Sequence, residues 1–324
     1  MPRAFAVCLL ALLALAPPAV GGARAEGYPD HPIRLIVPFA AGGLNDVVAR
    51  LVAPYLERAL GQPVIIDNRP AASGIVGTDA TAKAAPDGYT LLMVASSFTV
   101  IPATTPKLPY DPVRDLAPIG MVAKNSLLFL VNPKVQANTL SEFVALAKAN
   151  PGKLNYASPG HATQTHLVVE LFGRRAGISL QHIPYRGGAP AMSAMVAGDT
   201  QFTAISTLLS LPQIENRALR PIASGSVTRD PLLPDLPTAA EQGYPDFEAI
   251  QWIGLLTTAG TPQTIIDRLN LELNRALRDS NLIARFVQQG LAPAGGTSAN
   301  FQHMIAADLK TWTETAHAAN IKAE

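Results

Sequence analysis

Short apolar runs alternate with amphipathic stretches along most of the chain after residue 30. Runs such as "IRLIVPF" and "YTLLMVA" are rich in aliphatic and β-branched residues and end at turn-forming residues, which is typical of buried strands. Between these runs, apolar residues recur every three or four positions, which predicts helices. Strands that alternate with helices in this way predict parallel sheets in a three-layer α/β arrangement.

The pattern gives approximate bounds for the elements. Strands are predicted at 33–39, 63–67, 89–95, 127–131, 154–158, 180–185, 200–206 and 248–258. Helices are predicted at 45–60, 76–84, 140–150, 165–176, 190–197 and through most of the C-terminal segment, whereas the Pro- and Gly-rich segment 225–247 is predicted to be a surface excursion. Pro54 predicts a kink, or two separate helices, because it lacks the N–H that would bond the Arg50 carbonyl.

The first 25 residues have the pattern of a secretory signal peptide. Arg3 gives the positive end, "AVCLLALLALA" gives the apolar region, and Ala23-Arg24-Ala25 fits the small-x-small cleavage pattern. The alternative, a membrane anchor, is disfavoured because the apolar run is shorter than the ~20 residues that span a bilayer. We therefore expect cleavage after Ala25 and an exported, soluble mature protein.

Composition restricts the chemistry further. The chain has 25 basic and 24 acidic residues, and no basic stripe that would bind nucleic acid is visible. Cleavage would remove Arg3, Arg24 and the single cysteine, Cys8, but no acidic residue, which leaves 23 basic and 24 acidic residues. The mature chain would then have no disulfide and no thiol nucleophile. The six histidines show no metal-binding spacing, so neither a metal nor a cofactor is expected.

The stretch "VPFAAGGLNDVVAR", Val37 to Arg50, places small residues between a predicted strand and a predicted helix. In open α/β sheets, ligands bind beyond the carboxyl ends of strands, close to helix N-termini. Small residues let a ligand approach the backbone, where N–H groups and the helix dipole favour a negative group. The turn therefore predicts an anion site, and the alternative is a tight turn without a ligand. Neither GxxxxGK[ST] nor GxGxxG occurs, which argues against a nucleotide.

Three further turns have the same character. They are "MVASSFTV" (93–100), "YASPGHATQTHLVVELF" (156–172) and "HIPYRGGAPAM" (182–192). Each places Gly, Ser or Thr at the end of a predicted strand. Because these turns are divided between the two halves of the chain, they predict a ligand cleft between two lobes.

These stretches and several others resemble the solute-binding proteins of the tripartite tricarboxylate transporter system, the Bug family. The resemblance is carried, in order, by "YPDHPIRLIVPFAAGGLNDVVAR", "DNRP", "APDGYTLL", "LPYDPVRDLAPI", "HIPYRGGAPAM", "PTAAEQGYPDFEAIQWIGL", "AGTPQTIIDRLNLELNRAL" and "GLAPAGGTSANF". It implies a two-lobed α/β fold, the type II periplasmic binding protein fold, in which each lobe is a mostly parallel sheet flanked by helices. Crossing strands near 123–127 and 249–253 would join lobe 1, at 26–125 and 251–324, to lobe 2, at 126–250.

The resemblance also implies a function. A periplasmic protein of this kind captures a small organic acid between its lobes, closes on it, and delivers it through transient contact with integral-membrane transporter subunits. We expect a monomer that uses no cofactor and binds no nucleic acid. Two alternatives remain: a ligand-sensing protein that serves a membrane receptor, and an exported α/β enzyme acting on small acids. The second is disfavoured because no GxSxG nucleophile motif occurs.

In this family the ligand carboxylate is held largely by backbone N–H groups, hydroxyls and water. Carried over to this chain, the ligand-binding residues of lobe 1 are Phe39, Ala40, Ala41, Gly42, Gly43, Asp46, Ser96 and Ser97. Those of lobe 2 are Ser158, Gly160, His161, Thr163, Tyr185, Arg186, Gly187, Gly188 and Ser206. Alternative roles are a helix-dipole residue for Asp46 and a solvated rim residue for Arg186, and His166 is expected to be a hydrogen-bonded structural histidine.

The chain departs from the family pattern in these loops. The first loop reads "AAGG" where "PPGG" is common, so the dihedral restriction of proline is lost. "GHATQ" stands where "GNGTS" is common, which puts His161, Ala162 and Gln164 at positions that affect ligand choice. "AIS", at 204–206, stands where "FDN" is common and removes an acidic residue, so an amino acid ligand is not predicted. Tricarboxylates, dicarboxylates, aromatic acids and neutral amides all remain open as ligands.

Overall fold

A computed structural model describes residues 27–39, 41–105, 107–185 and 187–322. The predicted signal peptide, Ala40 and Arg186 lie outside these ranges. The elements follow one another as β1 (Ile33–Val37), α1 (Leu44–Leu60), β2 (Val64–Asn68), α2 (Ile75–Ala82), β3 (Thr90–Ala95), α3 (Ser97–Thr104), β4 (Leu116–Val131), α4 (Leu140–Ala149), β5 (Asn155–Ser158), α5 (Gln164–Ala176), β6 (Gln181–Pro184), α6 (Gly188–Ala197), β7 (Phe202–Ser206), α7 (Thr207–Glu215), β8 (Arg220–Ser224), β9 (Ile250–Thr258), α8 (Gln263–Ala276), α9 (Ser280–Gln288), β10 (Ala292–Gly295) and α10 (Ser298–Ala318). Within the described part of the chain, no helix is long and apolar enough to cross a membrane.

The described strands form two sheets that share one long strand, β4. Residues 116–126 of β4 pair with β9, and β10 pairs with part of the same stretch, whereas residues 127–131 pair with β7 and β8. The first sheet therefore has the order β2-β1-β3-β9-β4-β10, and the second has the order β8-β4-β7-β5-β6. We call each sheet, with the helices that cover it, the first and the second lobe.

The chain crosses between the lobes where β4 and β9 run side by side. Ser126 pairs with Ile250, and the next residue along, Leu127, donates its N–H to the Ala249 carbonyl over 3.0 Å. Two α/β lobes joined by crossing strands are the architecture predicted from the sequence, which is confirmed. The exact residue bounds of the lobes remain our proposal.

Both sheets are mixed, whereas the alternation of strands and helices and the family resemblance predict mostly parallel sheets. Strands β1, β2 and β3 are parallel to one another, as are β5, β6 and β7. Strands β7, β8, β9 and β10 all run antiparallel to β4. The antiparallel pairing of the two crossing strands has a simple cause, because one takes the chain into the second lobe and the other brings it back.

Helix α1 follows directly from the glycine-rich turn. It begins after Gly43, whose backbone is extended, and ends at Gly61, which has a φ of +72° and closes the helix with a left-handed cap, as glycine does at little cost. The helix is continuous through Pro54, so the alternative of two separate helices is wrong. Pro54 is exposed, and the Arg50 carbonyl that lacks its usual donor lies at an exposed residue, where water can bond it.

Each lobe has its own apolar core. In the first lobe, α1 and α8 pack against the sheet through buried residues such as Val52 and Leu269. The second lobe is centred on Phe129, whose ring centroid lies 4.9 Å from that of Phe172 and 5.5 Å from that of Phe202. Each fully buried Val, Leu or Phe side chain contributes about 1.5–3 kcal/mol through its removal from water, so both lobes have cores that stabilise them.

The last helix, α10, packs against both lobes. Phe301 and Ile305, near its start, belong to a buried cluster with strands of the first lobe. Trp312 and Ala316, near its end, are buried in the cluster around Phe129 in the second lobe. The helix is therefore a third connection between the lobes, in addition to β4 and β9.

Candidate functional site

A cleft with a volume of about 690 Å³ lies between the two lobes. Residues of both lobes line it, together with residues of the crossing strands. They are Phe39, Leu44, Asn45, Ser73, Ile75, Ala95, Ser96, Ser97, Ile101, Thr104, Thr105, Asn125, Pro159, His161, Ala162, Thr163, Gln164, Thr165, Gln251, Trp252 and Ile253. A volume of this order is typical of a site for a small molecule.

Three helices begin at the cleft. The first residues of α1, α3 and α5 all line it, namely Leu44, Ser97 and Gln164. Helix N-termini present N–H groups without intrahelical partners and the positive end of the helix dipole. Among the described lining residues there is no lysine or arginine. The cleft therefore favours a negative group by means of backbone and helix dipoles.

Asn45 adds a donor at the start of α1. Its side chain is 6% exposed, it lines the cleft, and its Nδ2 has no hydrogen-bond partner among the described residues. A buried amide without a partner costs about 1–3 kcal/mol, so the position needs an explanation other than stability. An oxygen of a bound carboxylate at the α1 N-terminus would satisfy it.

Asp46 lies behind the first loop and is absent from the cleft lining. The residue is 2% exposed, and its carboxylate accepts hydrogen bonds from the Gly42 N–H at 2.8 Å, Arg50 Nε at 2.9 Å and Asn68 Nδ2 at 3.0 Å. Burial acts to raise the pKa of Asp46, but these hydrogen bonds outweigh it and lower the pKa to about 2. The charged carboxylate fixes Gly42, whose φ of +80° suits glycine, and so holds the loop in shape.

In the second lobe, the turn between β5 and α5 is held by its own side chains. The hydroxyls of Ser158 and Thr163 each donate to the Gly160 carbonyl over 2.8 Å. Thr163 also caps α5, since its hydroxyl accepts from the His166 N–H. Ala162 has a φ of +57°, a left-handed conformation that costs about 1 kcal/mol or more without glycine. The structure thus places His161 and Thr163 on the cleft and Ser158 behind them.

A stack of histidine rings supports this turn. The ring centroids of His166 and His182 are 3.7 Å apart, and that of His161 lies 4.9 Å from that of His166. His182 Nε2 lies 2.7 Å from Ser158 Oγ, and His166 Nδ1 accepts from the Ala162 N–H over 3.1 Å. His166 is therefore a hydrogen-bonded structural histidine, the role expected from the sequence. The described residues contain no group of side chains arranged to hold a metal ion.

The stack predicts a pH dependence of stability. Burial, together with the neighbouring histidines, lowers the pKa of His166 to about 3 and that of His182 to about 4. The unfolded chain takes up protons near pH 6.5 and the folded chain does not, so the free energy of unfolding should fall as the pH drops from about 6.5 towards 4. Asp46 adds a loss only below its unfolded pKa of 3.8, and Asp308, whose pKa is raised by burial, has the opposite slope.

We expect the variant His166→Asn to flatten this dependence, because Asn keeps an acceptor for the Ala162 N–H but does not titrate. The measurement is the melting temperature between pH 7.5 and 5.0. The control is His303→Asn, at an exposed position on α10, which should keep the slope of the parent protein. Equal slopes in all three proteins would contradict the prediction.

The remaining predicted site residues occupy different places. Phe39, Ser96 and Ser97 line the cleft, and the loop 41–43 is exposed beside it. In the second lobe, Tyr185 packs on an apolar cluster, and the Gly187 N–H bonds the Pro159 carbonyl over 2.9 Å. The others lie at the same sheet edge without lining the cleft: Gly160, Gly188 and Ser206.

Sequence reasoning missed several lining residues. Asn45 reads as an ordinary helix-start residue, and Asn125 and Gln251 lie in strands where a polar side chain gives no ligand signal. Trp252 also lines the cleft, although it is 1% exposed and its Nε1 donates to Asp308 over 2.8 Å. These contacts depend on which side chains the two lobes bring together.

Two lobes, crossing strands and an anion-favouring cleft between them define a solute-binding protein of the periplasmic type. The chain belongs to the TctC family, the receptors of the tripartite tricarboxylate transporter family. The model of this family matches residues 48–321. The family resemblance inferred from the sequence is confirmed, and the protein is a solute-binding component of this transport system.

Individual relatives agree with this assignment. BugT of Bordetella pertussis strain Tohama I is 39% identical over 290 residues, which cover 89% of this chain and 89% of BugT. The structure of R. palustris Rpa4515 with adipate is 29% identical, has a TM-score of 0.74, and covers 91% of this chain and 99% of that chain. MatC (Rpa3494) from Rhodopseudomonas palustris with bound malate is 29% identical, has a TM-score of 0.70, and covers 89% of this chain and 99% of that chain.

Proposed function

We propose that the protein binds a small organic acid in the cleft, with one carboxylate at the N-terminus of α1. The observation that carries this proposal is the Asn45 amide, which is buried, lines the cleft and has no partner among the described residues. A carboxylate there would accept from Asn45 and from N–H groups of the first turn of α1. The solved relatives support the ligand class, since one is a structure with adipate and another has bound malate.

The lobes would close on this ligand. The first lobe would hold the carboxylate before closure, and rotation about β4 and β9 would add the turn of His161 and Thr163 from the second lobe. Closure needs the ligand to bind the closed form more tightly than the open form, which contacts from both lobes would provide. The other predicted residues, including Asp46, Ser158 and the glycines, would shape the loops rather than contact the ligand.

The finer cellular role is also a proposal. We propose export with cleavage after Ala25, a monomer in the periplasm, and transient contact with integral-membrane transporter subunits that recognise the closed form. We further propose that the protein binds its acid without converting it. Membership in the receptor family supports the transporter rather than a sensory receptor as the partner.

Thermal-shift assays on a protein of residues 26–324 would test the ligand class. The protein is first unfolded and refolded to remove any bound ligand. Adipate, malate, a tricarboxylate and an aromatic acid should be compared with the diamide of adipate and its dimethyl ester. An acid at about 1,000 times its dissociation constant adds roughly 4 kcal/mol to the free energy of unfolding. We expect a shift of several degrees with at least one acid and none with its amide or ester. A shift with neutral compounds alone, or turnover of an acid, would refute the proposal.

A further inference from the structure

Gln164 connects the two lobes at the floor of the cleft. It is the first residue of α5 in the second lobe, and its side chain is 7% exposed. Ser96, at the end of β3 in the first lobe, donates its hydroxyl to Gln164 Oε1 over 2.6 Å. Gln164 Nε2 donates to the carbonyl of Ile250, the first residue of β9, over 2.7 Å. One amide thus bonds both the first lobe, at Ser96, and the crossing strand β9, at Ile250.

The chemistry of the three groups fixes the direction of both bonds. The Ile250 carbonyl can only accept, so the Gln164 NH₂ must face it and the Gln164 carbonyl must face Ser96. The hydroxyl of Ser96 is then the donor, and its single proton is used. What remains of this hydroxyl is acceptor capacity, which does not suit a carboxylate oxygen.

The bridge is anchored on both sides. Ser96 is 2% exposed, and its N–H donates to the Trp252 carbonyl over 2.9 Å, which ties it to β9. Gln164 directly follows Thr163, the cap of α5 on the cleft. A side chain that is shorter and has a single oxygen, such as serine, would not reproduce both bonds.

We propose that Gln164 is a positioning residue, an interlobe bridge that favours the closed arrangement of the lobes by holding the N-terminus of α5 on the first lobe. The bridge takes the Ser96 hydroxyl out of carboxylate recognition. If the proposed ligand-binding function holds, the ligand carboxylate binds at the Asn45 end of the cleft and not at Ser96. The bridge itself does not depend on which ligand is bound.

Hydrogen exchange of the ligand-free protein would test the bridge directly. Loss of one buried hydrogen bond corresponds to about a fivefold change in an opening equilibrium. We expect Ser96→Ala, which loses one bond, to speed exchange across 163–168 by about that factor, and Gln164→Ala, which loses two, to speed it more. The double variant should add little to Gln164→Ala because the two residues share one bond. The matched control is Gln263→Ala, the first residue of α8, whose exposed amide bonds Asp267 away from the cleft.

A conservative variant gives a readout that a purely structural role would not move. In Gln164→Glu, only the neutral carboxyl has both a donor and an acceptor, so it can replace the amide. With each variant compared with the parent protein at the same pH, exchange in Gln164→Glu should be closer to that of the parent at pH 5 than at pH 8. At pH 8 we expect the affinity for adipate to be about fivefold weaker in Gln164→Ala than in the parent protein.

Two results would overturn the bridge. The first is exchange across 163–168 that is the same in Gln164→Ala, Ser96→Ala and the parent protein. The second is tighter binding of adipate by Gln164→Ala, which would make the side chain an obstruction rather than a positioning group. If no protein binds adipate but exchange responds as expected, the bridge is supported and the proposed ligand class is refuted for this acid.

Discussion

Replacement of Asn45 by leucine is expected to make the protein more stable and its ligand binding weaker. The buried Asn45 amide has no partner among the described residues, so its removal should raise the free energy of unfolding by about 1 kcal/mol. Leucine has a similar size and favours a helix more than asparagine does. Loss of a hydrogen bond to a charged carboxylate costs about 1.5–3 kcal/mol, which weakens affinity about 10- to 100-fold.

Opposite signs for stability and affinity distinguish this position from an ordinary core residue. Calorimetric titration with the acid identified by thermal shift, and denaturant unfolding without it, would measure the two effects. The matched control is Asn300→Leu, also in the first turn of a helix but exposed on α10, which should leave affinity unchanged. Higher stability with unchanged affinity would mean that the Asn45 amide does not contact the ligand.

Gly254→Ala is expected to cause a large loss of stability, because a side chain has no room in β9. A Cβ at Gly254 would lie 2.1 Å from Cζ of Phe301. Phe301 is 2% exposed, and its ring packs edge-on against Trp252 with centroids 5.3 Å apart. Neither ring can move without disturbing the contact between α10 and the crossing strand. We expect a loss of about 3 kcal/mol, from overpacking in a dense core.

Denaturant unfolding of four proteins would measure this effect: the parent, Gly254→Ala, Phe301→Leu and the double variant. Leucine at 301 is smaller and should accept part of the new methyl group, so the double variant should be more stable than the sum of the single losses predicts. Additive losses would show that the methyl group strains something other than the Phe301 ring.

The first loop illustrates what could be predicted from the sequence. The turn at 39–43 is predicted as a ligand site because its small residues let a ligand approach the backbone, and the structure places Phe39 on the cleft and residues 41–43 beside it. Asn45, next to it, was not identified, because asparagine at the start of a helix is equally typical of a cap. Its lack of a partner emerges only when the surrounding groups are in place.

Strand β4 shows the same limit for the fold. Its second part, 127–131, is a continuous apolar run, and the pattern predicts it correctly as a strand. The apolar pattern does not predict its first part, because Pro118, Gly120, Lys124 and Asn125 interrupt that pattern, and only the family resemblance indicates a crossing strand near 123–127. Those residues are tolerated there because β9 and β10 supply hydrogen-bonding partners from distant parts of the chain.

By itself, the sequence determined the fold class, the family and the turns at which a ligand approaches the backbone. These follow from local spacing, since the period of apolar residues and the position of glycines act within a few residues of one another. Only the tertiary structure decided that Gln164 joins Ser96 and Ile250, that Asp46 faces away from the cleft, and that α10 spans both lobes. Each of these contacts joins groups whose partners are set by the packing of the lobes, and no local pattern records that packing.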